Sequence, residues 1–174
     1  MGKNHSWLTM GTVPLWALGA VAALSAPSTA TSTVEVSCRN DASTPTVVVT
    51  LLQENNTKEH TLFKFLPQYF SDEDALKTCQ NAATNLQAVY DKGTSQYLTT
   101  DKLNGQSTVC AVARRGVGCD HYSAQVLFTF QPTDNPSQAL YAILGNDFKQ
   151  VQAPDVRTIS RIYTDTKPSW WPFK

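Results

Sequence analysis

Alternation with a period of two first appears at Thr33, where Thr33 to Cys38 reads Thr-Val-Glu-Val-Ser-Cys. Thr46 to Leu52 follows as a β-branched and leucine run closed by the polar stretch Gln53 to Asn56. Side chains two apart share one face of a strand and β-branched residues fit a pleated surface, so both segments predict strands. His60 to Leu66 predicts a hairpin partner that stops at Pro67, which has no N–H to give a ladder. Three strands therefore precede any helix.

The period then changes. Ser71 offers a capping hydroxyl, and Asp72, Glu73 and Asp74 place carboxylates at the positive end of a helix. Leu76, Cys79, Ala83, Leu86 and Tyr90 recur three and four apart until Lys92 and Gly93 supply a basic last turn and a C-terminal glycine. This stripe sets Cys79 on the buried face. Gln96 to Thr100, Ser107 to Ala113 and Gln125 to Phe130 predict further strands, the first two joined through Asn104-Gly105. Asn135-Pro136 opens a shorter helix with Leu140, Ile143, Leu144 and Phe148 on one side. The expectation is a single α+β domain: a mostly antiparallel sheet of about five to six strands with one long and one short helix packed on it.

The two ends differ from this body. Lys3 and His5 precede the uncharged run Val13 to Leu24, which as a helix covers about 18 Å, too short for the roughly 30 Å hydrocarbon core. A signal peptide over residues 1–30 fits, cleaved after Ala30 behind the small residues Ser28 and Thr29; an uncleaved anchor is the alternative. Both place residues 31–152, the body, outside the cytoplasm, in the periplasm or on the outer face of the plasma membrane. Residues 153–174 form a proline- and tryptophan-rich tail ending Trp170-Trp171-Pro172-Phe173-Lys174.

Export changes the reading of the cysteines. Cys38, Cys79, Cys110 and Cys119 are even in number, and an oxidising compartment favours disulfides, with three possible connectivities. A local bridge between Cys110 and Cys119, across the turn carrying Arg114 and Arg115, is the economical choice and leaves Cys38 for Cys79.

Charge excludes one class of partner. Fourteen basic side chains balance fourteen acidic ones, so no excess is available to neutralise phosphates, and nucleic acid is not expected. The 16% charged and 41% hydrophobic composition, with nine prolines and eight glycines, is that of an ordinary globular chain.

Catalytic chemistry finds little support. Asp120, His121 and Ser123 include the three types of a hydrolase triad, but residues so close in sequence rarely converge, and no Gly-x-Ser-x-Gly accompanies them. Cys110, Cys119, Asp120 and His121 lack the paired spacing of a zinc site, so no metal or cofactor is expected. Capping explains Asp72, Glu73 and Asp74 better than calcium or glycosidic chemistry does. Binding residues remain. Arg114 and Arg115 can grip an anionic head group, although a solvated turn is the simpler reading. Tyr97, Tyr122, Phe128 and Phe130 can form an aromatic face, although strand alternation gives the last two a core role. Trp170, Trp171 and Phe173, beside Lys167 and Lys174, are either tucked into the body or free to meet a membrane interface or partner.

Taken in order, Pro67-Gln68-Tyr69-Phe70-Ser71 before the helix with Cys79, then Tyr97-Leu98-Thr99-Thr100, Asn104-Gly105-Gln106, Val109-Cys110, Gly118-Cys119, Leu127-Phe128-Thr129 and Asn135-Pro136 resemble the cyanobacterial circadian oscillating polypeptide family, named for a twenty-three-kilodalton member. The resemblance covers roughly residues 34 to 150 and leaves the tail outside. It implies an exported protein whose founding relative is regarded as a peripheral membrane protein of rhythmic abundance. No catalytic motif comes with the family, so only the cysteines carry over, as a structural framework. The expected function is that of a non-enzymatic protein binding the plasma-membrane surface or an envelope protein through its tail. An inhibitor or regulatory module of an exported protease is the alternative, and a hydrolase using both histidines a third.

Overall fold

Two antiparallel sheets form around one helix. β1 (Thr33–Arg39), β2 (Thr46–Gln53) and β3 (Asn56–Lys64) make the first, in that order. β4 (Tyr97–Leu103), β5 (Gln106–Val112), β6 (Gln125–Thr129) and β7 (Thr164–Asp165) make the second, in the order β6-β5-β4-β7. Helix α1 (Asp72–Lys92) separates the sheets in sequence, and α2 (Pro136–Ile143) is followed by a 3-10 turn at Asn146–Phe148. The computed structural model describes residues 33–40, 43–53, 56–133, 135–149 and 161–172. The expected leader at 1–30, Phe173 and Lys174 lie outside the described residues.

Local chemistry sets the boundaries. The Ser71 side chain accepts from the Asp74 N–H at 3.2 Å and starts α1. Gly93, at φ 64°, ends it in a left-handed conformation that costs glycine little. Asn104 (φ 52°) and Gly105 (φ 80°) turn β4 into β5, as a two-residue hairpin with this pair requires. The Asn135 side chain accepts from the Gln138 N–H to cap α2.

The strands divide into two sheets because α1 occupies their meeting edges. Gln87 treats β1 as a strand partner would: its Oε1 accepts from Val36 N at 2.8 Å and its Nε2 donates to Val34 O at 3.1 Å. Asn85 donates from Nδ2 to Leu127 O on β6 at 3.0 Å. Edge groups that would otherwise recruit another strand are thereby satisfied. The Cys38–Cys79 disulfide fixes α1 to β1, with Cα atoms 5.6 Å apart. The buried stripe of α1, with Cys79, Leu86 and Val89, meets Val47, Val49 and Leu51 of β2 and Leu98, Val109 and Ala111 of the second sheet. Phe63, Phe65, Phe70, Phe128 and Phe130 pack in the same core.

The other face of the second sheet carries a smaller core of Cys110, Val112 and Cys119 with Tyr97, Val117, Ala124 and Tyr163. Here the Cys110–Cys119 disulfide folds the β5–β6 connection back over the sheet. The two disulfides agree with an oxidising, exported location.

Residues 161–172 do not stand apart from the body. Thr99 Oγ1 donates to Ile162 O at 2.7 Å, β7 pairs with β4, and Thr166 N donates to Gln96 O at 2.9 Å. Trp171 is 4% exposed and stacks on Tyr90 with ring centroids 5.3 Å apart. Trp171 is therefore corrected from a contact residue to a core residue: its indole closes the C-terminal end of α1, where exposing it would forfeit a large apolar burial. Among the described residues, no helix is long and apolar enough to cross a membrane.

Candidate functional site

Two places gather the side chains with chemistry to offer. The first is the β5–β6 connection, which the Cys110–Cys119 disulfide and the smaller core hold from beneath. Gly116, at φ 91°, makes the turn that turns Arg114 and Arg115 to solvent. The Arg115 guanidinium lies 5.0 Å from the centroid of Tyr97 and 3.7 Å from Asp165. Tyr122, on the same connection, is 95% exposed. Tyr163 supports this segment by donating its hydroxyl to Val117 O at 3.0 Å. At Gly118 the chain passes so close to Asp101, Asp120 and Arg161 that a Cβ would strike them, and Arg161 pairs with Asp101 at 2.7 Å.

Of the sequence-level triad, only two members meet. His121 Nδ1 and Ser123 Oγ are 2.8 Å apart, a contact two residues long at the surface, while the Asp120 carboxylate lies beside Gly118. Cys110 and Cys119 are bonded to each other, so neither offers a thiolate to a metal. Phe128 and Phe130 are core residues, as alternation along β6 indicates, and Tyr97 is half-buried beneath Arg115. No single aromatic face forms from the four.

The second place was not legible from spacing. His60 on β3, Asp147 in the 3-10 turn and Trp170 near the C-terminus converge. The His60 Nδ1–H donates to Asp147 Oδ2 at 2.7 Å. Trp170 stacks on the imidazole with centroids 3.9 Å apart and donates its Nε1–H to Asp147 O at 3.0 Å. His60 Nε2 is shielded from solvent and has no hydrogen-bond partner among the described residues. Leaving such an atom unpaired costs about 1–3 kcal/mol, so its surroundings require a reason. Beside it lies a cavity of about 210 Å³ lined by Leu51, Gln53, Lys58, His60, Trp170 and Pro172. A larger and more open hollow of about 480 Å³ runs along the β4–β7 edge, past Gln96, Tyr97, Asp165, Lys167 and Trp171.

Burial pushes the Tyr90 phenol well above its ordinary range, and its hydroxyl donates to Thr166 O at 2.9 Å. That protonated hydroxyl ties the segment bearing Trp170 to α1.

Comparison with known proteins gives one match. A protein-family model described as circadian oscillating protein COP23 matches residues 36–169. The matched region takes in all four cysteines, His60 and Asp147, extends beyond residue 150 through β7, and stops just before Trp170. No curated protein and no solved structure matches.

Proposed function

The chain belongs to the circadian oscillating protein COP23 family, and from that membership and its two disulfides we propose an exported binding domain that rests reversibly on the anionic outer surface of the plasma membrane. The observation that carries this reading is the presentation of Arg114, Arg115 and Tyr122 on one disulfide-pinned connection, with Tyr122 the most exposed large hydrophobic residue described. Arginine near an anionic bilayer is worth about 1 kcal/mol, and a tyrosine ring suits the headgroup boundary. Asp120 on the same connection and Asp165, 3.7 Å from the Arg115 guanidinium, offset part of this charge. The association is accordingly weak, peripheral and sensitive to salt.

Flotation with phosphatidylglycerol vesicles tests it against phosphatidylcholine vesicles. The protein is expected to float with the anionic vesicles only, to be released by high salt, and to stay behind when Arg114, Arg115 and Tyr122 are all replaced by alanine. Equal behaviour of the protein and this triple variant rejects the assignment. A failure to float together with specific capture of an exported protease favours the inhibitor reading instead.

A further inference from the structure

We propose that the cavity between the β2–β3 hairpin and the C-terminal segment binds a small planar organic carboxylate. This site is separate from the membrane-facing connection and does not depend on it. Lys58 and His60 are two apart on β3, so their side chains leave the same face of the sheet, and both line the cavity. The intervening Glu59 points to the opposite face, where it pairs with Arg39. Among the described residues the lining thus carries one full positive charge and no carboxylate, and Lys58 has no ion-pair partner. An anionic group is what this wall accepts.

The remaining walls set the ligand's body. The Trp170 indole, Leu51 and Pro172 give apolar surfaces, and Gln53 adds an amide at the rim. An apolar cavity of about 150 Å³ takes benzene, so about 210 Å³ accommodates one ring with a short substituent. His60 supplies the directional element. Its Nδ1–H is committed to Asp147, which orients the ring and leaves Nε2 as the free position: an acceptor on the neutral imidazole and a donor on the imidazolium. Asp147 balances the positive charge that a carboxylate at Nε2 calls for. Trp170 is the wall that gives way to admit the ligand to Nε2. Its indole is half-buried, held among the described residues by one hydrogen bond to Asp147 O and by ring contacts with His60, Phe148 and Trp171.

Benzoate is the probe. Titration of the disulfide-bonded protein, followed by tryptophan emission and by the indole N–H resonance of Trp170, is expected to saturate. Benzylamine, with the same ring and the opposite charge, and acetate, with the charge and no ring, are expected not to. Lys58→Ala, at an exposed position, is expected to weaken benzoate at least about tenfold, the loss of one charge-assisted hydrogen bond, with the fold intact by circular dichroism. The Arg114/Arg115/Tyr122 triple variant is expected to bind benzoate normally, which separates this site from the membrane proposal. Any of three results overturns the inference: no saturable response, equal binding of benzylamine, or unchanged affinity in Lys58→Ala.

Discussion

Replacing Trp171 with alanine asks whether the C-terminal segment is part of the fold or a loose anchor. The indole is 4% exposed and packs face to face with Tyr90, with an interplanar angle of 10°. A buried tryptophan removes about 150–250 Å² from water, which at ~25 cal/mol per Å² is about 4–6 kcal/mol. That figure is an upper bound, because the unfolded chain already buries part of its apolar surface. The stack on Tyr90 contributes about 0.5–1.5 kcal/mol beyond area, and Trp→Ala substitutions in cores generally cost about 3–5 kcal/mol. We expect a loss in that last range. For a domain of roughly 140 residues, where 1 kcal/mol shifts Tm by about 3–4 °C, the midpoint should fall by about 9–20 °C.

The contrast with a free tail is large enough to decide the matter. Substitution in a solvated terminal segment changes stability by less than about 0.5 kcal/mol. Urea denaturation of the oxidised protein, followed by far-ultraviolet circular dichroism, measures the difference. Trp170→Ala provides the internal comparison, since its half-exposed ring should cost less than Trp171. A Trp171→Ala loss below about 1 kcal/mol refutes the packing argument and returns the segment to the role of an anchor.

Three further outcomes follow from the same structure. Removing the Cys38–Cys79 bridge, with a sequence separation of 41, should cost about 4 kcal/mol on the chain-entropy account, against about 2.6 kcal/mol for Cys110–Cys119, with a separation of 9; paired Cys→Ala variants in denaturant melts check the order. Gly145→Ala should destabilise by about 1–3 kcal/mol or more, because a Cβ there overlaps the Thr61 carbonyl, with its carbon at 2.7 Å, while Gly145 N donates to Leu62 O; thermal melts of the variant measure it. Burial raises the Tyr90 pKa above the ordinary 10.0, so the folded state holds the proton more tightly than the unfolded chain does. Its contribution to stability is complete below about pH 10 and declines as pH rises above that value, so alkaline titration of tyrosinate absorbance should show one phenol that ionises only with unfolding, whereas Tyr90→Phe should abolish that step.

Much of the fold was written in short-range pattern. The period-two run at Thr33, the β-branched run at Thr46, the strand at Ser107, the Ser71 cap, the Gly93 stop and the Asn104-Gly105 turn all act over a few residues, and each lies where strand propensity and turn chemistry indicate. The cysteine pairing was legible for a related reason: the stripe on α1 turns Cys79 inward, toward β1 and Cys38. The division into two sheets was not, because it rests on Gln87 and Asn85 side chains taking the place of neighbouring strands, and no propensity marks an amide for that use. The seventh strand had a signal that the prolines and tryptophans around it obscured. Ile162, Thr164 and Thr166 are buried while Tyr163 and Asp165 are half-buried, which is the alternation of a strand. His60, Asp147 and Trp170 come from distant parts of the chain, so only the packed fold brings them together.

That same C-terminal segment underlies both candidate sites, which decides how they can be told apart. Tyr163 lies in the smaller core and donates to Val117 O beneath the Arg114–Tyr122 connection, and Trp170 walls the cavity at His60. Truncation after residue 167 would remove Trp170 and Trp171 together, so a lost interaction with membranes would report damage to the fold as readily as a missing anchor. Substitutions at exposed Arg114, Arg115, Tyr122 and Lys58 avoid this, since none of them contributes to the buried core. With stability held constant, vesicle binding and benzoate binding should then vary independently, the first with the loop and the second with β3. Loss of both from either set of substitutions would mean that the two sites are one coupled surface, contrary to their separation in the fold.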